Sequence, residues 1–214
     1  MLQRQKLCTR VLFMPFAAMY NELSRPYLNE LLAAEISSFS RYYNSVYQAE
    51  ARVEDSGILL NAIACGNKQR SDSIAGLPDF SQEKNSRNIV LLNGNFNHHF
   101  DVQLLLTGLK KKFSRNDRAV AIVYNSYLRF LYTLANKLGI RRGELPSTFL
   151  TQKDLENIAK ISGFEVVRSR PVGYFPLHLF GLGTFLNRFL QAMPLLRWFG
   201  FAQVVILRPI LASK

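Results

Sequence analysis

The chain has 214 residues, 48% of them hydrophobic, enough for one cored domain or for one domain with an appendage. Its 27 Lys and Arg against 15 Asp and Glu leave a formal net charge of +12, a balance that favours anionic partners such as nucleic acid, acidic lipid or a phosphorylated substrate. Two cysteines, Cys8 and Cys65, exclude a disulfide framework and point to free thiols in a reducing compartment, and with three histidines they exclude the common zinc spacings.

Arg4, Lys6 and Arg10 precede the apolar run Val11 to Met19, which imitates a secretory leader. The run is short, contains Pro15 and flows into a helical pattern, so it reads as part of the domain. Residues 17 to 53 read as helix, with Tyr20, Leu23, Tyr27, Leu28, Leu31 and Leu32 at spacings of three and four, and with Pro26 expected to kink or divide it. A second helical stretch near Ile36 to Ala51 carries Tyr42, Tyr43 and Tyr47, an aromatic stripe suited to packing. Gly57 to Asn67 reads as a short buried strand ending in a glycine turn. Residues 68–87, rich in Ser, Asp, Gly, Gln and Asn, read as a loop.

Regular alternation follows. Ile89 to Leu92 is a strand and Asp101 to Phe113 a helix, capped by Asp101 and ending in Lys110, Lys111 and Lys112, where the helix dipole favours cations. Ala119 to Tyr124 is an unbroken apolar strand of the kind covered on both faces. Ser126 to Leu138 is a helix, Thr151 caps another from Gln152 to Ile161, and Glu165 to Pro171 is a strand. Gly181 to Trp198 is a helix with an apolar face, and Phe201 to Pro209 is the last strand. The early pairs suit right-handed crossovers in a parallel sheet, while the final pair can run antiparallel. No window offers the ~20 apolar residues of a spanning helix.

From Ile89 to Pro209 the chain resembles the C-terminal half of a class I S-adenosylmethionine-dependent methyltransferase. It is similar to those found alone, or fused to glycosyltransferases, in bacterial glycan and cell-envelope proteins. The residues that carry this are Leu91-Leu92-Asn93 entering a loop with His98, Asp101-Val102-Gln103 opening a helix, Val123-Tyr124-Asn125 ending a strand, Phe149-Leu150-Thr151 before Asp154-Leu155, Ser162 to Val167, and Val204 to Pro209. The resemblance implies an α/β fold, an incomplete Rossmann-like methyltransferase sheet with an N-terminal helical region. The division is then 1–56 for the helical region and 57–214 for the methyltransferase-like domain, with 68–87 as its loop.

The resemblance also implies S-adenosyl-L-methionine as cofactor. Its glycine turn is best matched by Cys65, Gly66 and Asn67, but the acidic position reads as Asn61, and Lys68 replaces a second glycine. The stretch from Gly66 to Ile89 is too short for the strands and helices expected there, since one crossover alone takes a dozen or more residues. Asp72 and Asp79 are the only acids available for the ribose, and neither follows an apolar run. The upstream half therefore reads as eroded, with an exposed sheet edge.

In an active site of this kind Asn93 and Gly94 lie beside the cofactor. His98 is the candidate base, since histidine titrates near neutrality. Asp101 either orients it or caps the helix, and His98 with His99 reads equally as a solvated loop pair. Tyr124 and Asn125 are the acceptor-binding candidates, or packing and turn residues. Lys110 to Arg118 reads as a solvated helix end, and His178 as a packing histidine. The expected acceptor is a glycan or lipid-linked saccharide; no motif favours nucleic acid. The alternative is a catalytically inactive methyltransferase-fold protein that binds a partner or an anionic membrane surface. The aromatic, basic segment 173–201 is either a lid over the sheet or an interfacial helix. The expected location is the cytoplasm, with peripheral contact at the inner membrane face.

Overall fold

The computed structural model describes residues 16–52, 56–82, 86–99, 101–137, 146–175, 182–193 and 196–211. Cys8, His178 and the leader-like residues before Phe16 lie outside them. The elements in chain order are α1 (Phe16–Ser40), β1 (Ser45–Ala49), α2 (Ser56–Ala62), β2 (Asn67–Ser71), β3 (Asn88–Asn93), α3 (Asn95–His98), α4 (Val102–Lys112), β4 (Arg118–Tyr124), α5 (Arg129–Lys137), α6 (Gln152–Ile161), β5 (Phe164–Val172), α7 (Leu182–Ala192) and β6 (Ala202–Pro209), with short 3-10 turns at Phe80–Gln82, Ser126–Leu128 and Leu196–Phe199.

All six strands form one sheet in the order β2-β1-β3-β4-β6-β5. The pairs β1–β2, β1–β3 and β3–β4 are parallel, and β6 runs antiparallel to both β4 and β5. The antiparallel closing pair is as expected. β3 is buried along its whole length, and its side chains alternate between two cores. Ile89 and Leu91 join Val46, Leu59, Ile63, Ala33 and Ile36 under α1 and α2. Val90 and Leu92 join Leu105, Leu106, Leu109, Leu155 and Phe164 under α4 and α6.

The upstream half departs from the sequence reading. The helical pattern expected to reach residue 53 stops at Ser40, whose hydroxyl donates to the Ala64 carbonyl. Residues 45–49 are then a strand, because Val46 and Ala49 fill opposite cores between two neighbours. Pro26 does not divide α1: a proline forfeits one amide hydrogen bond, and burial of Tyr27, Ala33 and Ile36 outweighs it. Gly57 to Ala62 is helix rather than strand. Its apolar run buries Leu59, Leu60 and Ile63 on one side and leaves Ile58 exposed, a short pattern that either element can adopt.

Within the expected loop 68–87, Asn67 to Ser71 pairs with β1 as an edge strand. Its side chains are largely exposed, so no apolar signal marks it, and Lys68 and Arg70 guard the edge against further pairing. The first two strands are thus present, not eroded. Because β1 lies between β2 and β3, the division expected at residue 56 falls inside the sheet.

The amino ends of β3 and β4 are clamped by one carboxylate. Asp117, fully buried, accepts the Asn88 amide at 2.9 Å, the Asn88 side chain at 3.2 Å and the Ser114 amide at 2.7 Å. Replacing Asp117 with Ala leaves two main-chain donors buried and unpaired, and should cost about 3 kcal/mol in urea unfolding. A loss under about 1 kcal/mol would mean that water reaches this turn.

α6 opens with a reciprocal capping box: the Asp154 amide donates to the Thr151 hydroxyl, and the Thr151 amide and hydroxyl donate to the Asp154 carboxylate. The Thr151 hydroxyl and amide hold the Asp154 carboxyl below its ordinary 3.8. A depressed folded-state value stabilises above the unfolded value and is lost as pH falls through the folded one. The stability gap between the native chain and Thr151→Ala should therefore be widest above about pH 5 and narrow toward about pH 2. A gap that stays constant in thermal melts across that range would refute the linkage.

Candidate functional site

Four parallel strands end on one edge, at Ala49, Ser71, Asn93 and Tyr124. The order reverses between β1 and β3: the chain leaves β1 for α2 on one face, and leaves β3 for α4 on the other. Open α/β sheets hold ligands in the crevice at such a reversal. The residues around it are Ala49 to Arg52 after β1, Ser71 to Ile74 after β2, and Asn93 to His99 after β3.

Glu50 organises this crevice. Its φ of 44° is left-handed, the region where glycine is ordinarily found. The Glu50 amide donates to the Ser71 carbonyl at 3.0 Å and its carboxylate accepts the Ile74 amide at 3.3 Å, tying the ends of β1 and β2. Its carbonyl accepts from the Asn95 side chain at 3.0 Å, and the Arg52 amide donates to the Asn93 carbonyl at 3.3 Å, tying β1 to β3. The second carboxylate oxygen lies 3.8 Å from the Arg52 guanidinium and 3.9 Å from His99 Nε2. That oxygen, the Asn95 Oδ1 and both amide atoms of Gln48 are buried without hydrogen bonds.

One strand over, Asn97 locks the loop after β3. Its Oδ1 accepts the Tyr124 amide at 2.8 Å, its Nδ2 donates to the Thr148 carbonyl at 2.8 Å, and its carbonyl accepts from the Ser147 amide at 2.9 Å. Gly94, with φ of 82°, makes the turn into α3 that a side chain would strain.

The residues expected at the site divide into two groups. Asn93, Gly94, His98, Tyr124 and Asn125 do come together at the carboxyl edge. The His98 ring stands edge-on to Tyr124 with centroids 6.3 Å apart, while His99, not His98, faces the crevice and Glu50. Asp101 caps α4, accepting the Leu104 amide at 2.8 Å, and its own amide donates to His99 Nδ1 at 3.1 Å. Asn125 is buried and acts as a turn residue: it accepts the Tyr127 amide and donates to the Gly200 carbonyl at 2.8 Å.

Cys65, Gly66 and Asn67 are elsewhere. Asn67 begins β2 opposite Ser45, the first residue of β1, and its side chain donates to the Ser45 hydroxyl at 3.2 Å. The Cys65 thiol faces the Tyr43 and Asn44 carbonyls at 3.7 Å. These three residues lie at the amino edge, a strand's length from Asn93, and cannot form a turn at the crevice. The turn in that position is Ala49 to Arg52. Nor is the basic cluster a free anion site at Lys112, whose amine donates to the Ala75 and Leu77 carbonyls.

Sequence reasoning missed Glu50, Arg52, Asn95 and Asn97, and placed Asp72 without a strand. An acid directly after a strand is the signal for both Glu50 and Asp72, and it was hidden while residues 45–49 read as helix and 67–71 as loop. Asp72 is exposed and immediately follows β2.

An adenosylmethionine cofactor needs backbone close to it after β1 and an acid after β2. The second need is met by Asp72. The first is not met: Ala49, Glu50, Ala51 and Arg52 stand where glycines would admit the cofactor, and the Glu50 carboxylate lies 3.8 Å from the Arg52 guanidinium. The residues after β1 therefore do not fit that group.

No protein-family model matches the chain, and no curated protein matches it. Among solved structures, the chain is similar to one in the complex between the Haloferax volcanii Trm112 methyltransferase activator and a methyltransferase, at 10% identity and a TM-score of 0.54, covering 93% of this chain and 96% of that one. It is similar to LaPhzM at 12% identity and a TM-score of 0.51, covering 86% of this chain and 55% of that one. Its likeness to the mitomycin 7-O-methyltransferase MmcR is 12% identity with a TM-score of 0.49, covering 85% of this chain and 53% of that one. The chain thus spans about half the length of the last two. The architecture is the Rossmann-like methyltransferase fold.

The left-handed Glu50 gives a direct check on the loop. Glu50→Gly and Glu50→Ala lose the same side-chain contacts, but only Gly accepts the backbone without strain, so Gly should be the more stable by about 1 kcal/mol in urea unfolding. Equal stability would mean that the turn relaxes out of the left-handed region.

Proposed function

We propose that this chain is a methyltransferase-fold protein that acts by binding rather than by methyl transfer. The observation that supports this is the loop after β1. It carries no glycine, it is laced across the β1–β3 crevice by Arg52 to Asn93 and Asn95 to Glu50, and it is tied to the end of β2 by the Ile74 amide donating to Glu50. Backbone and side chain of this one loop hold the place where a nucleoside cofactor needs open space and free amides.

A second reading has its own support. It is a transferase that uses S-adenosyl-L-methionine to methylate a glycan or lipid-linked saccharide. Asp72 stands exposed after β2, where such a site has its ribose acid, and the unbonded oxygens of Glu50 and Asn95 are acceptors suited to a cationic or ammonium group. On that reading Asp72 would hold the ribose, and His98 beside Tyr124 would face the acceptor.

Calorimetry with S-adenosylmethionine and S-adenosylhomocysteine separates the two. The binding-only reading expects no heat up to millimolar ligand. Micromolar affinity that is lost in Asp72→Asn, with the melting temperature unchanged, would overturn it in favour of the transferase.

A further inference from the structure

α7 turns a polar residue inward. Asn187, at its centre, is buried, and all four hydrogen-bonding positions of its amide are used. Its Oδ1 accepts the Tyr174 and Phe175 amides at 2.7 and 2.9 Å, and its Nδ2 donates to the Tyr27 hydroxyl and the Phe175 carbonyl, both at 3.0 Å. Gly183, four residues earlier, is buried on the same side. Leu186 and Leu190 are half-buried, and the aromatic residues are turned to solvent. Leu182, Phe185, Phe189 and Met193 recur at spacings of three and four, with Phe185 64% and Phe189 51% exposed. The Phe185 and Phe189 rings stack, with centroids 6.0 Å apart and 10° between planes, and so form one continuous apolar surface.

A second helix repeats the pattern. On α5, Phe130 is 65% exposed and Leu134 follows it on the same stripe, while Tyr132 is buried and its hydroxyl donates to the Phe201 carbonyl. Phe201 lies two residues past the 3-10 turn Leu196–Phe199, so this hydrogen bond ties α5 to the segment that follows α7. α5 follows β4 and α7 packs against β5, on the far side of the sheet from β1 and β2.

The charge carried by these two stretches of sequence has one sign. No Asp or Glu occurs after Glu165 or between Ser126 and Lys137, whereas Arg188 on α7 and Arg129 and Lys137 on α5 are exposed. A protein partner binding through complementary charge would have to be acidic around a flat apolar centre. A bilayer carrying anionic headgroups offers both properties over an unlimited area. No helix among the described residues is long and apolar enough to cross a membrane, and the 11-residue α7 is too short to span one. An exposed aromatic stripe with basic flanks is the form of a helix that lies in the interface plane.

We infer that α7 and α5 dock the protein onto an anionic lipid surface. Phe185, Phe189 and Phe130 enter the headgroup–acyl boundary, and Arg188 and Lys137 pair with lipid phosphates. This rests on the outer faces of the two helices and not on the state of the crevice.

The test is co-sedimentation of the full chain with phosphatidylcholine vesicles and with vesicles containing phosphatidylglycerol. Emission from Trp198, the single tryptophan, serves as a second readout. The expected result is binding to the anionic vesicles alone, weakening steeply with salt. Phe185→Ser with Phe189→Ser should weaken it by about tenfold or more at an unchanged melting temperature, since both rings are largely exposed. Arg188→Glu with Lys137→Glu should weaken it most at low salt. Absence of binding at low salt, equal binding to neutral vesicles, or full binding by the double-serine variant would each overturn the proposal. So would concentration-dependent self-association in sedimentation that the serine variant abolishes without any vesicle binding, for then a second copy covers the stripe.

Discussion

Burial of β3 on both faces is the constraint from which the rest of the architecture follows. A strand with Ile89 and Leu91 on one side and Val90 and Leu92 on the other needs helices against both. α2, leaving β1, covers one face, and α4, leaving β3, covers the other. Two crossovers on opposite faces force the strand order to reverse between β1 and β3 and open a crevice there. The same constraint explains why Asp117 can be buried: it lies at the amino end, where three donors converge on it. It also explains why short β1 suffices as a strand, since its neighbours supply both ladders.

The C-terminal half was legible because its signals are redundant. β4 is apolar throughout, α4 and α6 carry caps at Asp101 and Thr151, and Gly163 follows α6 with a φ of 75°. Each local preference agrees with the tertiary arrangement. The N-terminal half offers no such agreement. Tyr42, Tyr43 and Tyr47 continue a helix-like spacing past the end of α1, and only pairing with β2 and β3 converts residues 45–49 into strand. β2 is written entirely in polar residues, because an exposed edge needs backbone pairing and not burial. With both strands unread, Gly66 was the nearest glycine for a cofactor turn, and the turn was assigned to the wrong edge of the sheet. The candidate site followed the same division: the residues after β3 and β4 were readable, and those after β1 and β2 were not.

Glu50 shows how the crevice is held and why it is unlike a glycine-rich loop. A left-handed non-glycine residue carries strain of order 1 kcal/mol or more, and it persists only where the surroundings over-determine it. Here four contacts do so, from Ser71, Ile74, Asn95 and the neighbouring Arg52 amide. The unbonded oxygen of Glu50 nevertheless remains buried beside Arg52 and His99. Packing and polar satisfaction therefore disagree at this one place in the sheet. Elsewhere at the carboxyl edge, the hydrogen bonds of Asn97 and Asn125 fix turns. A fold optimised only for stability would not leave Gln48, Glu50 and Asn95 with unpaired atoms around one crevice.

α7 buries an amide at its centre and leaves its aromatic rings outside, and its sequence alone could not have said so. Its apolar period is plain, but periodicity states only that one face differs from the other, not which face points inward. What decides the orientation is a single amide. Asn187 satisfies both its donors and both its acceptors against the Tyr174–Phe175 backbone and Tyr27, and turning the helix over would forfeit all four bonds, with a cost of about 1–3 kcal/mol for each buried group left unpaired. Gly173, at a φ of 72° and so close to Leu28 that an added Cβ would lie 2.9 Å from it, brings that backbone near enough to α1 for the arrangement to close. The apolar stripe is exposed as a consequence of a satisfied polar anchor and not through a failure of packing.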